Sequence, residues 1–311
     1  MTKKQKRKMK KLLRVQKLSA EKAQQILESI NQVSQVVMTN TPATVTDLPD
    51  SEQIPNPYNL IRASSLKVFD EEGRHISESK LIVNEERHEQ RFVIVSKDYK
   101  IAQHNEVVYI IEESIRELRL ETESNIIRMN RGGRIRMEVI FPTINIRLTN
   151  GEVFTMCGAW DNSYDCTTGL RLIIGAYDKP NNKRLFIENR YAAFYHRHTK
   201  GLDICEMTQT VKKSAEVFQN KVEADFNRML SCSITLEKAL NFIDSAIEHK
   251  LIADIYLKTI RERLSSMRPE DMGSQWYLYK LVNEIISQRV ESLDTKERYL
   301  KTLNSAVKKL K

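Results

Sequence analysis

Residues that could do chemistry crowd between Trp160 and Thr199. Asp161-Asn162-Ser163-Tyr164-Asp165 opens the stretch, Thr167, Leu170 and Arg171 follow, and Asn189 and Arg197-His198-Thr199 close it. Amides, hydroxyls, a carboxylate and guanidiniums stand in short segments between apolar runs, the pattern of a polar site on a sheet rim. Metal-assisted hydrolysis would use His196 and His198, an HxH that sets two imidazoles on one face of a strand, with Asp161 and Asp165 as further ligands. No HExxH accompanies them, Arg197 lies between them, and the pair reads better as a polar strand end. Nucleophilic catalysis would need Ser163 or Cys166 beside one of these histidines, and the GxSxG elbow is absent. No catalytic residue, metal or cofactor is assigned.

Phosphate binding fares better. Arg131-Gly132-Gly133-Arg134-Ile135-Arg136 lacks GKS/T and GxGxxG, so it is not a nucleotide loop. It reads as a cationic turn in which Arg131, Arg134 and Arg136, with amides freed by the glycines, hold phosphate oxygens. Arg171, Lys183, Arg184, Arg190 and Arg197 would line a groove, and Tyr164 and Tyr191, placed among polar residues, would stack bases. Trp160, Tyr177, Phe186, Phe194 and Tyr195 interleave with the same cations, Phe186 and Phe194 as core. The competing reading of Asn162, Ser163 and Asp165 is a capped turn that needs no ligand, with Asp165 accepting from the amides of Thr167 or Thr168. His198 joins these three as a polar residue of open role.

Charge supports a polyanion partner. The chain of 311 residues has a net charge of +9, but residues 1–17 alone hold nine Lys/Arg and no acid, so the remainder is neutral. That remainder is polarised. Residues 18–127 carry 11 basic and 19 acidic side chains, and residues 128–200 carry 12 and 6. A basic tail with a basic centre is a footprint of nucleic-acid binding. No apolar run approaches the roughly 18 residues of a membrane span, and the basic start leads into no apolar signal core. Cys157, Cys166, Cys205 and Cys232 show no paired spacing, which predicts a reduced, cytoplasmic setting.

The elements that must position these residues follow from periodicity. Residues 1–37 read as a basic N-terminal helix, and 38–57, with Pro42, Pro49, Pro55 and Pro57, as a linker. Residues 58–205 read as an α+β domain. Arg91–Val95 is a strand, Asn105 caps a helix from Glu106 to Glu121, and Arg134–Leu148 alternates toward an Asn150-Gly151 hairpin into Val153–Met156. Leu170–Ala176 and Arg184–Ile187 are further strands. Residues 206–311 read as helices: a stripe from Val211 to Leu230, one from Thr235, one over Ile252–Leu264, and a last pair over Trp276–Ser292 and Thr295–Leu310. The fold class is α+β, a mixed or antiparallel central sheet followed by an α-helical region.

Asn162-Ser163-Tyr164-Asp165-Cys166-Thr167-Thr168-Gly169-Leu170-Arg171 resembles the NSYDGS-x-A-L-R block of a phage/plasmid-like family of unknown function found in prophages and conjugative elements. Arg91–Tyr109 resembles its early strand and helix, Arg184–Asn189 its R-L-x-C-x-N-G block, Arg197-His198-Thr199 its RHT close, and Trp276–Tyr279 its late aromatic segment. Cys166 and Arg190 stand where the family has glycine. The resemblance covers about residues 60–300 and implies a mobile-element origin, in a bacterial host cell, among replication, recombination and anti-restriction functions. It brings no catalytic residue. Analogy of fold type and charge with ring-forming single-strand annealing proteins adds a homo-oligomer. The expected function is a non-enzymatic nucleic-acid-binding protein, with single-stranded DNA favoured. The alternatives are an anti-defence or phage-assembly factor with a host or phage protein partner, and a metal-dependent nucleic-acid enzyme.

Overall fold

Segments of period two build two antiparallel sheets, and segments of helical period pack against the larger one. The computed structural model describes residues 54–181, 183–186, 194–199, 201–202, 207 and 209–310. The helix read over 1–37, nearly all of the linker, and Arg190 and Tyr191 lie outside the described residues, and of Lys183 only the backbone is described.

β1 (Ala63–Phe69), β2 (His75–Asn84) and β3 (Arg91–Ser96) form a three-stranded meander. Helix α1 (His104–Glu117) leads into a second meander of β4 (Glu123–Met129), β5 (Arg134–Arg147), β6 (Val153–Ser163), β7 (Leu170–Asp178) and β8 (Lys183–Phe186). A short β9 (Phe194–His196) shares the outer edge of β7 with β8. Then come α2 (Thr210–Val217), a π turn (Phe218–Val222), α3 (Glu223–Ser231), α4 (Leu236–Glu248), α5 (Asp254–Ser265), α6 (Gln275–Arg289) and α7 (Leu293–Val307). The class is α+β, as the pattern predicts. The sequence reading marks β3 but not β1, β2 or β4, because polar side chains fill much of their alternation and most of those positions are exposed.

Pairing register sorts the large sheet into two faces. Met137, Trp160 and Leu172 stand side by side on one face, and Arg136, Asp161 and Arg171 form the adjacent row on the other. The first face is apolar and belongs to the main core, with Val107, Val108 and Ile111 of α1. The helix starts two residues earlier than Asn105 predicts. Gln103 occupies the cap, the Glu106 carboxylate accepts its backbone N–H at 3.3 Å, and Asn105 is buried in the first turn. The Asn150-Gly151 hairpin forms as expected, with Gly151 at φ +90° and Leu148 N–H donating to Glu152 O at 2.8 Å.

In the helical region Phe218, Val222 and Phe226 recur every four residues, more than the roughly 3.6 of an α turn. The π turn absorbs the excess, and all three side chains are fully buried. Phe226 packs on Trp276 at 4.5 Å, Phe154 of β6 meets Trp276 edge-on at 5.6 Å, and Tyr279 stacks on Trp276 at 5.5 Å. The Trp276 indole donates to Glu152 Oε2 at 2.9 Å. These rings join the sheet to the helices in one core. Phe226→Ala is expected to cost about 3–5 kcal/mol in urea unfolding, and a loss under about 1 kcal/mol would refute this cluster as the junction.

Candidate functional site

Strand alternation sends consecutive residues of the Asp161–Asp165 segment in opposite directions. Asp161 faces the polar side of the sheet and is fully buried. Arg136 grips it with two hydrogen bonds, Nε to Oδ1 at 2.8 Å and Nη2 to Oδ2 at 2.7 Å, and Arg171 Nε donates to Oδ2 at 2.8 Å. Arg134 lies at 3.6 Å. From above, α7 supplies Asp294, held by Arg134 Nη1 at 2.7 Å, and Glu297, which pairs with Arg136 and accepts from Arg171 Nη2 at 2.8 Å. Three guanidiniums thus meet three carboxylates. Burial raises the Asp161 carboxyl, but the Arg136 hydrogen bonds and the charges of Arg136, Arg171 and Arg134 outweigh it and hold it below the usual carboxylate range. Burial likewise opposes the charge on Arg136, and Asp161 and Glu297 more than restore it.

Asn162 and Tyr164 point to the other side, toward the start of α1. Asn162 Nδ2 donates to Ala102 O at 2.8 Å and lies 2.9 Å from His104 Nδ1. With Nδ1 accepting, His104 Nε2 carries the proton and donates to Gly132 O at 3.1 Å. The Tyr164 ring stacks on His104 at 3.8 Å, and its hydroxyl accepts from His104 N–H at 2.9 Å and donates toward Ile61 O and Gln103 Oε1, each at 3.0 Å. Ser163 Oγ donates to Thr168 O at 2.7 Å, and Asp165 Oδ1 accepts from Thr167 N–H at 3.0 Å while Asn130 Nδ2 donates to its Oδ2 at 2.6 Å. His198 stacks on Tyr99 at 5.2 Å and its Nδ1 lies 3.2 Å from Lys100 O. Burial pushes His104 down to about 3, and it lowers His198 as well, partly opposed by the Lys100 carbonyl.

These positions correct several sequence expectations. Arg134 and Arg136 are not on a solvated loop: they begin β5, are 1% and 0% exposed, and are neutralised inside the protein. Arg171 and Arg184 are bound by carboxylates, Arg184 by Glu138. Tyr164 is fully buried and presents no face to a base, because its hydroxyl and ring are spent on α1. The glycines beside Arg131 answer a packing need, and the Gly133 amide donates to Asn130 O at 3.0 Å. A Cβ on Gly132 would lie 2.3 Å from Ile61 Cδ1, and one on Gly133 2.9 Å from Phe92 Cδ1. Asp165 accepts from Thr167 as the capped-turn reading expects. β9 ends at His196, so the alternation does not carry His198 onto a shared face, and among the described residues no three His, Cys, Asp or Glu side chains are grouped to hold a metal ion.

What reaches solvent is a rim. Arg131, at φ +57°, projects from the turn between β4 and β5. The Asp165–Gly169 loop touches both this turn, through Asn130, and β9, where a Cβ on Gly169 would lie 2.6 Å from His196 O. Tyr195 of β9 is 56% exposed and stands opposite Arg171 in register, with Arg197 exposed beyond it. Sequence reasoning grouped Tyr195 with the other aromatics but did not choose it, and it missed His104, Tyr99, Asp294 and Glu297. The two carboxylates are more than 120 residues from their arginines, and no local spacing marks them.

Compared with protein-family models, curated proteins and solved structures, the chain has no match.

Asp161→Asn leaves three buried guanidiniums with one partner fewer and is expected to lower unfolding stability by about 3–5 kcal/mol, and a change under about 1 kcal/mol would show that the lattice carries no such dependence. Acid provides a second test. His104 and His198 have folded values below the unfolded 6.5, so their contribution is complete above pH 6.5 and is lost as pH falls through the folded values. Through His104 alone, stability should drop by up to about 1.4 kcal/mol per pH unit between pH 6 and 4.5, with His198 acting in the same direction, and His104→Gln should flatten that slope. An unchanged slope in the variant would remove His104 as the source.

Proposed function

We propose that this chain is a non-enzymatic nucleic-acid-binding protein of a phage or other mobile element, acting in annealing or recombination, with single-stranded DNA as the favoured partner. The observation that supports it best is the exposed Tyr195 between Arg171 and Arg197 on a rim that also carries Arg131. Single-strand binders pair aromatic platforms with cations that follow the backbone. Tyr195 takes the stacking role expected of Tyr164, and of the expected cationic contacts Arg131 and Arg197 remain at the surface. The nine Lys/Arg of residues 1–17 add attraction without sequence preference. The resemblance of the Asn162–Arg171 block to a phage/plasmid-like family agrees with this setting, and homo-oligomerisation belongs to the same proposal.

A second reading, an anti-defence or assembly factor, draws on a different observation. Leu66, Leu81 and Ile94 lie in one row across the three strands of the small sheet, and Leu66 and Ile94 are 36% and 59% exposed. A stoichiometric protein captured from nuclease-treated lysate by the wild type and lost with Ile94→Lys would favour it.

Fluorescence anisotropy with single-stranded and duplex DNA at two salt concentrations tests the first reading. Tyr195→Ala should weaken single-strand binding about fivefold to 100-fold, the equivalent of one stacked base. Arg131→Ala and Arg197→Ala should each reduce the salt slope by about 0.7. Wild-type affinity in all three variants, or binding that vanishes in a chain starting at Tyr58, would put the contact outside the rim.

A further inference from the structure

The hairpin between β1 and β2 ends in an uncovered tip. The ladder between β2 and β3 begins at Ser79, and β1 loses its register with β2 after Lys67, so the end of the hairpin lies beyond the three-stranded ladder. Phe69 is 56% exposed there, and residues 71–78, Ile76 among them, are all exposed. The turn is held in shape by Asp70 Oδ1, which accepts from the backbone N–H of Glu72 at 3.1 Å and of Arg74 at 2.8 Å. The tip is also acidic. Residues 69–78 carry four carboxylates, Asp70, Glu71, Glu72 and Glu78, against the single guanidinium of Arg74, a net charge of −3, of which Lys97 offsets one through Glu78.

The helices carry a surface of the opposite kind. A groove of about 550 Å³ between the α4–α5 turn and α7 is lined by Leu251, Ile252 and Tyr299, with Tyr256 packed on Tyr299 at 5.7 Å. Leu251 is exposed, and Ile255, just beyond the lining residue Asp254, is 68% exposed, more than any other large apolar side chain among the described residues. The groove has three charged lining residues, Lys250, Asp254 and Arg298. Asp254 stands in the first turn of α5, where its carboxylate answers the dipole of its own helix. Among the described residues no carboxylate pairs with Lys250 or Arg298, and the Arg298 guanidinium rests over the Tyr299 ring at 5.3 Å. An acidic tip with bare apolar side chains and an apolar groove with free cations complement each other, and one chain carries both.

We propose that the hairpin tip of one copy docks into the groove of a second copy, with Phe69 and Ile76 against Leu251 and Ile255, and Glu71 and Glu72 facing Lys250 and Arg298. Tip and groove are different surfaces, so the contact is head-to-tail, and each copy keeps one of them for a further neighbour. This supplies an interface for the homo-oligomer proposed above, and it is read out without DNA, so its failure leaves the nucleic-acid reading standing.

Sedimentation velocity of the full chain over a concentration series, with no nucleic acid present, tests it. The wild type should grow beyond a dimer as concentration rises. Phe69→Lys, which disables the tip, and Ile255→Asp, which disables the groove, should each weaken association about tenfold or more, as the loss of an apolar anchor does. Mixed in equal amounts, the two variants should form a dimer and nothing larger, because only one intact tip and one intact groove can meet. That recovery also shows that both variants are folded. Glu71→Lys with Glu72→Lys should weaken association about two- to fivefold, and a chain with Lys250→Glu and Arg298→Glu should restore it on mixing. A wild type that stays monomeric at its highest soluble concentration, an apolar variant that associates within about twofold of wild type, or apolar variants that do not recover on mixing would overturn the proposal.

Discussion

The Asp161 carboxylate organises the structure. It lies at the centre of three guanidiniums, two from β5 and one from β7, and it is itself on β6, so one buried charge ties three strands together. The arginines in turn need more negative charge than one aspartate offers, and α7 brings Asp294 and Glu297 to supply it. A sheet face with this much buried charge is stable only when covered by a helix of matching charge, so the helical region is a structural complement of the sheet rather than an attachment to it. Buried lattices of this kind add little net stability over apolar packing, but they penalise any arrangement that leaves one partner unmatched. The aromatic junction of Phe154, Phe226 and Trp276 supplies a separate, apolar attachment of β6 to α3 and α6.

The rim inherits its shape from this arrangement. With Arg134, Arg136 and Arg171 drawn inward, the cations left on the surface are those at turns and strand ends, where no carboxylate from the helices reaches. Part of the positive count of the basic centre is therefore cancelled inside the protein and is not displayed at the surface. A charge tally along a sequence counts side chains and says nothing of which ones have already met their counter-ion.

How far the sequence could be read follows from the same distinction. Long strands with clean alternation, the Asn150-Gly151 hairpin, and the helices with apolar stripes were all legible, because each depends on neighbours a few residues away. The polar strands β1, β2 and β4 were not, because their pattern is weak on both faces. Within the site, the capped turn at Asp165 was legible from Asp165 and Thr167 alone. The burial of Tyr164 was not, since it rests on Gln103 and His104, about 60 residues away. Arg134 and Arg136 misled for the same reason: their partners on α7 are about 160 residues distant, and nothing near them in the sequence signals an internal role.

The alternation of Asp161, Asn162, Ser163 and Tyr164 between two interiors has an effect on folding. A strand with apolar residues on both faces can slide by one position at modest cost, because one methyl group replaces another. β6 cannot. A slip of one residue would turn the Asp161 carboxylate toward the uncharged His104 ring and offer the three arginines an amide in its place. Both interiors would then be wrong at once, one holding an unpaired anion and the other an unpaired excess of cations. The motif therefore acts as a register lock, letting the central strand settle in one alignment even though much of its length is smooth, apolar and able to pair elsewhere.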